Sequence, residues 1–99
     1  MRRPSWAQIS AQIRFVARRG AVFFSNHAMA EMAHDGLDLA DMLAVMKGCR
    51  VVEEQAGEKY KVEGHTGDGI AVVAVCQLKE TTRAGRRVFV ITVWKVIKG

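Results

Sequence analysis

A chain of 99 residues, 49% hydrophobic and 25% charged, has the composition of a folded domain and room for one core only, so the reading is a single domain over 1–99. Its longest nearly apolar run, Ile70 to Cys76, is far too short for a bilayer-spanning helix. The net charge of +5 is unevenly spread: residues 1–19 hold five cations and no acid, 20–78 hold four cations and nine acids, and 79–99 hold six cations and one acid.

Taken in chain order, Ser5-Trp6-Ala7-Gln8 forms a capping box, and Trp6, Ile9, Ile13, Val16 and Ala17 follow at helical spacing to about Arg19, where Gly20 supplies the stop. Ser25 caps a second helix from Asn26 to about His34, with Ala28, Met29, Met32 and Ala33 as its expected buried stripe. Asp38 caps a third, with Leu39, Met42, Leu43 and Met46 inward and Gly48 at its end.

From Arg50 the period changes to two. Strands are expected at about 50–55, 58–65, 69–78 and 86–97, joined by connections too short for parallel crossovers. The third is apolar on both faces and should be central. The expected class is therefore α+β, about three N-terminal helices packed on a four-stranded antiparallel meander.

Alternation puts Lys59, Lys61, Glu63 and His65 on one face of the second strand and Tyr60 and Val62 on the other. On the last strand it groups Arg87, Phe89, Ile91, Val93, Lys95 and Ile97 against Arg86, Val88, Val90, Thr92, Trp94 and Val96. One face can thus present Lys59, Lys61 and His65 beside Arg87 or Lys95, which suits binding a phosphodiester and stabilising the charge that grows during its cleavage. In metal-independent RNA cleavage His65, Glu63 or Tyr60 would move protons, and Lys61 or Arg87 would supply positive charge. The plainer reading of such cations is a solvated surface.

His27, His34, Cys49, His65 and Cys76 lack the paired spacing of a zinc site, so no metal ligand is assigned. The two separated cysteines read as reduced thiols of a cytoplasmic protein, and Met1-Arg2-Arg3-Pro4 is followed by no apolar stretch of the kind a secretory leader has.

The stretch Phe24-Ser25-Asn26-His27-Ala28-Met29-Ala30-Glu31-Met32, with Gly36-Leu37-Asp38 and Asp41-Met42 after it, resembles a small bacterial family catalogued mainly as a domain of unknown function. That family opens on a Phe-Ser-x-His-Ala-x-x-Arg-Met element and is similar to the RelE-like toxins, including the BrnT and MqsR groups. The resemblance covers roughly residues 9–96. It implies a RelE-like fold and the toxin of a type II toxin–antitoxin system: an mRNA interferase, either ribosome-dependent or free, that needs no cofactor, with RNA as substrate, a cognate antitoxin as partner, and no membrane.

By resemblance His27 matches the family histidine, and Lys61, after Tyr60, matches a strand lysine that serves catalysis in MqsR-like toxins. Phe89 stands where those toxins have a tyrosine, and Glu31 replaces the arginine usual before Met32. The candidate catalytic set is Lys61, His65, His27 and Tyr60, and the candidate substrate-binding set is Lys59, Arg86, Arg87 and Lys95. The alternative is a non-catalytic module that binds nucleic acid or docks a protein partner.

Overall fold

Helix formation is set locally by side-chain caps. The Ser5 hydroxyl accepts the Gln8 N–H at 3.1 Å while the Gln8 side chain accepts the Ser5 N–H at 2.7 Å, which satisfies two of the donors that a helix start leaves unpaired. In the computed structural model, which describes residues 4–81 and 85–96, this first helix, α1, spans Trp6–Arg18. Gly20 follows it with φ of 76°, a left-handed conformation that costs glycine nothing. Asp38 and Asp41 make the same reciprocal cap for α3 (Leu39–Lys47), and Ser25 caps α2 (Asn26–His34).

The strands are β1 (Val22–Phe24), β2 (Arg50–Gln55), β3 (Lys59–His65), β4 (Ala71–Thr81) and β5 (Gly85–Lys95). They form one mixed sheet in the order β1-β5-β4-β3-β2. The expected four-stranded antiparallel meander is therefore incomplete. The fifth strand, β1, lies between α1 and α2 and pairs parallel with β5. Three residues are too few to show a period of two, and their partners lie more than sixty positions downstream. The long fourth strand is central, as its two apolar faces require.

All three helices cover one face of this sheet. Ile9, Ile13, Val16 and Ala17 of α1 join Ala28 and Met32 of α2, Met42, Val45 and Met46 of α3, and the sheet residues Val22, Val62, Val72, Ala74, Cys76, Val88, Val90 and Val93 in one core. Each large side chain buried there contributes about 1.5–3 kcal/mol. The expected helix stripes need trimming, because Met29 and Leu39 are each 57% exposed and Ala33 also faces solvent.

A buried hydroxyl joins the first helix to the edge strand. Ser10 donates to the Trp6 carbonyl at 2.7 Å and accepts the Val51 N–H at 2.8 Å. Arg14 supports the same junction by donating to the Cys49 carbonyl at 2.9 Å.

The fit of α3 on β3 depends on an absent side chain. A Cβ on Gly64 would collide with the Val45 carbonyl oxygen and stand 3.1 Å from the carbonyl carbon behind it. Since that obstacle is backbone, relief requires moving the helix. Gly64→Ala should cost about 1–3 kcal/mol and lower the melting temperature by at least about 5 °C. A thermal melt with an unchanged midpoint would show that α3 does not sit on β3 this closely.

Candidate nucleic-acid interface

With the helices on one side, the other face of the sheet is uncovered. Its residues follow from strand register. Phe23 of β1 lies beside Phe89 of β5, which is opposite Gln77 of β4 and then Lys59 of β3. Arg87 is opposite Lys79. Further along, Thr92, Val75, Lys61 and Glu53 form another cross-strand row, and Trp94, Val73, Glu63 and Arg50 the next.

A β-bulge decides which residues of β5 reach this face. Cys76 pairs with Val90 and Val75 with Thr92, leaving Ile91 as an extra residue. Beyond it the strand's two faces exchange. Trp94 therefore joins Arg87 and Phe89 on the open side, while Val93 turns into the core and Lys95 goes with it. The expected grouping of Arg87 with Val93 and Lys95 fails at this point, since simple alternation assumes an unbroken ladder. Ser25 holds the bulge: its N–H donates to the Val90 carbonyl at 2.9 Å, and its hydroxyl donates to the Ile91 carbonyl at 2.7 Å while accepting the Ala28 N–H.

Three cations on the open face each lie over an aromatic ring of the same face. Lys79 Nζ is 4.7 Å from the Phe89 ring centre, the Arg87 guanidinium 5.5 Å from Phe23, and Lys61 Nζ 5.6 Å from Trp94. Such exposed pairs are worth about 0.5–1 kcal/mol each, whereas stacking a nucleobase on an aromatic side chain is worth about 1–3 kcal/mol. A ring on this face is therefore worth more to a stacking base than to the cation lying on it. Acids occur only toward β2 and β3, where Glu53 is 3.8 Å from Lys61 and Glu63 is nearby in register; the β1–β5–β4 end of the face has none among the described residues.

The sheet divides the candidate catalytic set. Lys61 and His65 share the open face, four residues and thus about 13 Å apart along the strand. Tyr60 projects to the opposite side, partly buried against the core. His27 is exposed on α2, with Nε2 3.3 Å from Glu31 Oε1. Of the candidate binding cations, Lys59 and Arg87 lie on the open face. Arg86 is on the helix side, held by Gln12 and by Glu80 at 3.3 Å, where it and Tyr60 line a cleft beside α1. Lys95 is also on the helix side, its N–H donating to Asp35 at 3.3 Å. Arg2, Arg3, Arg83, Ile97 and Lys98 lie outside the described residues.

Sequence reasoning passed over Phe23, Lys79 and Trp94. The Val-Phe-Phe run was a visible signal for Phe23, but Trp94 could be placed only once the bulge was known. Among the described residues no three His, Cys, Asp or Glu side chains converge as metal ligands, and no helix is long and apolar enough to cross a membrane.

These features define a small α+β domain with one sheet face packed by helices and the other left open as a cationic, aromatic surface. The chain belongs to the family described as Domain of unknown function (DUF4258), whose profile matches residues 24–95, from the end of β1 through β5. No curated protein and no solved structure matches it.

Both cysteines are buried in the core. Burial pushes the Cys49 and Cys76 thiols up to about 12 from 9.0; nearby Arg14 offsets part of this for Cys49, and Cys49 adds to it for Cys76. The folded state thus retains protons that the unfolded chain releases. The thiols' contribution to stability is complete below about pH 9 and is lost as the pH rises toward about 12. At pH 8 both should resist alkylation in the native protein and react rapidly in denaturant. Fast native labelling at either position would contradict this burial.

Proposed function

We propose that this domain holds single-stranded RNA across the open face of its sheet. The observation that carries the reading is the pairing of Lys79, Arg87 and Lys61 with Phe89, Phe23 and Trp94 on that one face. Aromatic rings offer stacking surfaces that any base can use, and cations between them neutralise the backbone, the combination that single-strand binding requires. The narrow, charged grooves of a duplex offer no unstacked base to such a surface. RNA in preference to DNA rests on the resemblance to RNA-cleaving toxins.

A second reading, that the held strand is cut, is favoured by Lys61 and Glu63, which lie two residues and about 6.6 Å apart on the same face. Glu63 would take the proton of a ribose 2′-OH, whose oxygen attacks the adjacent phosphorus. Lys61 would stabilise the phosphorane, and His65 would protonate the departing 5′ oxygen, leaving a 2′,3′-cyclic phosphate. In that case the protein is a RelE-like toxin of the bacterial cytoplasm, an mRNA interferase restrained by a cognate antitoxin.

Binding of a labelled strand of about 12 nucleotides, followed by anisotropy, tests the first reading. Affinity should fall steeply with salt, and Trp94→Ala and Arg87→Glu should each weaken it by about ten-fold or more, with Arg87→Glu leaving the thermal midpoint unchanged. Wild-type protein that ignores the strand at low salt would refute it. For cleavage, Lys61→Ala should slow product formation by about 100-fold, and growth of a bacterium expressing the wild-type chain should stop. Intact RNA after long incubation with the bound wild-type protein would leave a binding module and remove the nuclease.

A further inference from the structure

We infer that the β1–β5–β4 corner of the open face is a site for one nucleobase with a phosphate beside it. The inference rests on the single-stranded RNA reading and names where that strand is gripped. Phe23 and Phe89 are register partners in adjacent parallel strands, so their side chains leave the sheet together on the same face. Neighbouring strands are about 4.8 Å apart, which makes the two rings one continuous apolar floor. Phe23 is 48% exposed, an open aromatic surface on an edge strand of only three residues.

Lys79 and Arg87 stand opposite one another across β4 and β5, and with Phe23, Phe24 and Phe89 they line a cleft of about 340 Å³. That volume is in the range of small-ligand sites and accepts a single base with part of its sugar. Among the described residues no acid lines the cleft, so a phosphate entering with the base meets two cations there.

Two other clefts among the described residues lack this combination. The larger, beside α1, includes Glu58 and Glu80 in its wall, which oppose an anion. The second offers Phe15 and Arg19, but its remaining cation, Arg86, is already held by Glu80 and Gln12. The β1–β5–β4 corner holds two such pairs, Lys79 on Phe89 and Arg87 on Phe23, where the second cleft has the one pair of Arg19 on Phe15 at 6.0 Å. A base and its phosphate would therefore engage ring and cation together.

The same chemistry can arrive as a free nucleotide or as one unit of a strand, and the test separates the two. The full chain is titrated with AMP, with ribose 5-phosphate, and with a single-stranded RNA of about 12 nucleotides, while NMR follows the Phe23 and Phe89 rings. AMP should shift both rings, and ribose 5-phosphate should leave them nearly unmoved. Phe23→Leu and Phe89→Leu keep the apolar volume but remove the stacking plane. Each should abolish the AMP shifts and weaken the longer strand by about ten-fold.

If AMP leaves the rings unmoved and both leucine variants bind the strand as wild type does, the corner is not a base site. The RNA reading then still stands on Trp94 and Arg87. If AMP shifts the rings while wild-type protein ignores the strand, the RNA reading fails and the corner remains as a nucleotide site. Should Phe89→Leu disturb the fold, Phe23→Leu at the exposed edge decides alone: retained AMP shifts in that variant overturn the proposal.

Discussion

The extra residue at Ile91 in β5 governs both faces of the sheet. A bulge leaves backbone groups outside the ladder and reverses which side later residues occupy. Here Ser25 accommodates the irregularity, because one hydroxyl both caps α2 and donates to the Ile91 carbonyl. The start of a helix and the bend of a strand sixty-six residues away are thereby joined at one atom. The exchange of sides has two consequences: Val93 packs under the helices, and Trp94 stands on the open face near Lys61.

The one-sided placement of the helices follows from how little apolar material a short chain holds. Three helices suffice to cover one face, and the core uses the aliphatic residues that alternate inward from β1 to β5. The far side must manage without a covering layer. Val73 and Val75 are nevertheless buried there, each 6% exposed and outside the helix-side core, with Trp94 and Lys61 as their cross-strand neighbours. The open face therefore combines a small apolar centre with cations whose stems lie along it.

Charge on that face is graded from one edge to the other. On β2 and β3 the acids Glu53 and Glu63 are mixed with Arg50, Lys59 and Lys61, while the β1–β5–β4 end carries Lys79, Arg87, Phe23 and Phe89 and no acid among the described residues. An anionic strand would be drawn toward the β1 side and would meet carboxylates on the β2 side. The gradient gives the proposed chemistry a polarity: phosphate binding belongs to the first region, and proton transfer by Glu63 or His65 to the second. Arg86, Lys95, Tyr60 and His27 fall outside this arrangement because they lie on the helix side.

The helices were legible in the sequence because their determinants are local. Ser5 with Gln8, Asp38 with Asp41, and Ser25 with Ala28 are each within four residues of one another, and their hydrogen bonds need nothing else from the fold. Alternation along β3 was equally dependable, placing Lys59, Lys61 and His65 on one side and Tyr60 on the other. The long antiparallel hairpins followed from connections too short to permit anything else. What only the tertiary structure decided were the long-range pairings: β1 against β5 in parallel, and Ser25 against Ile91. Neither leaves a periodic trace, since three residues are too few for a pattern and a bulge is a break in one. The sequence by itself therefore determined the helices and the faces of the regular strands, while the sheet's fifth strand and the position of Trp94 depended on contacts between distant segments.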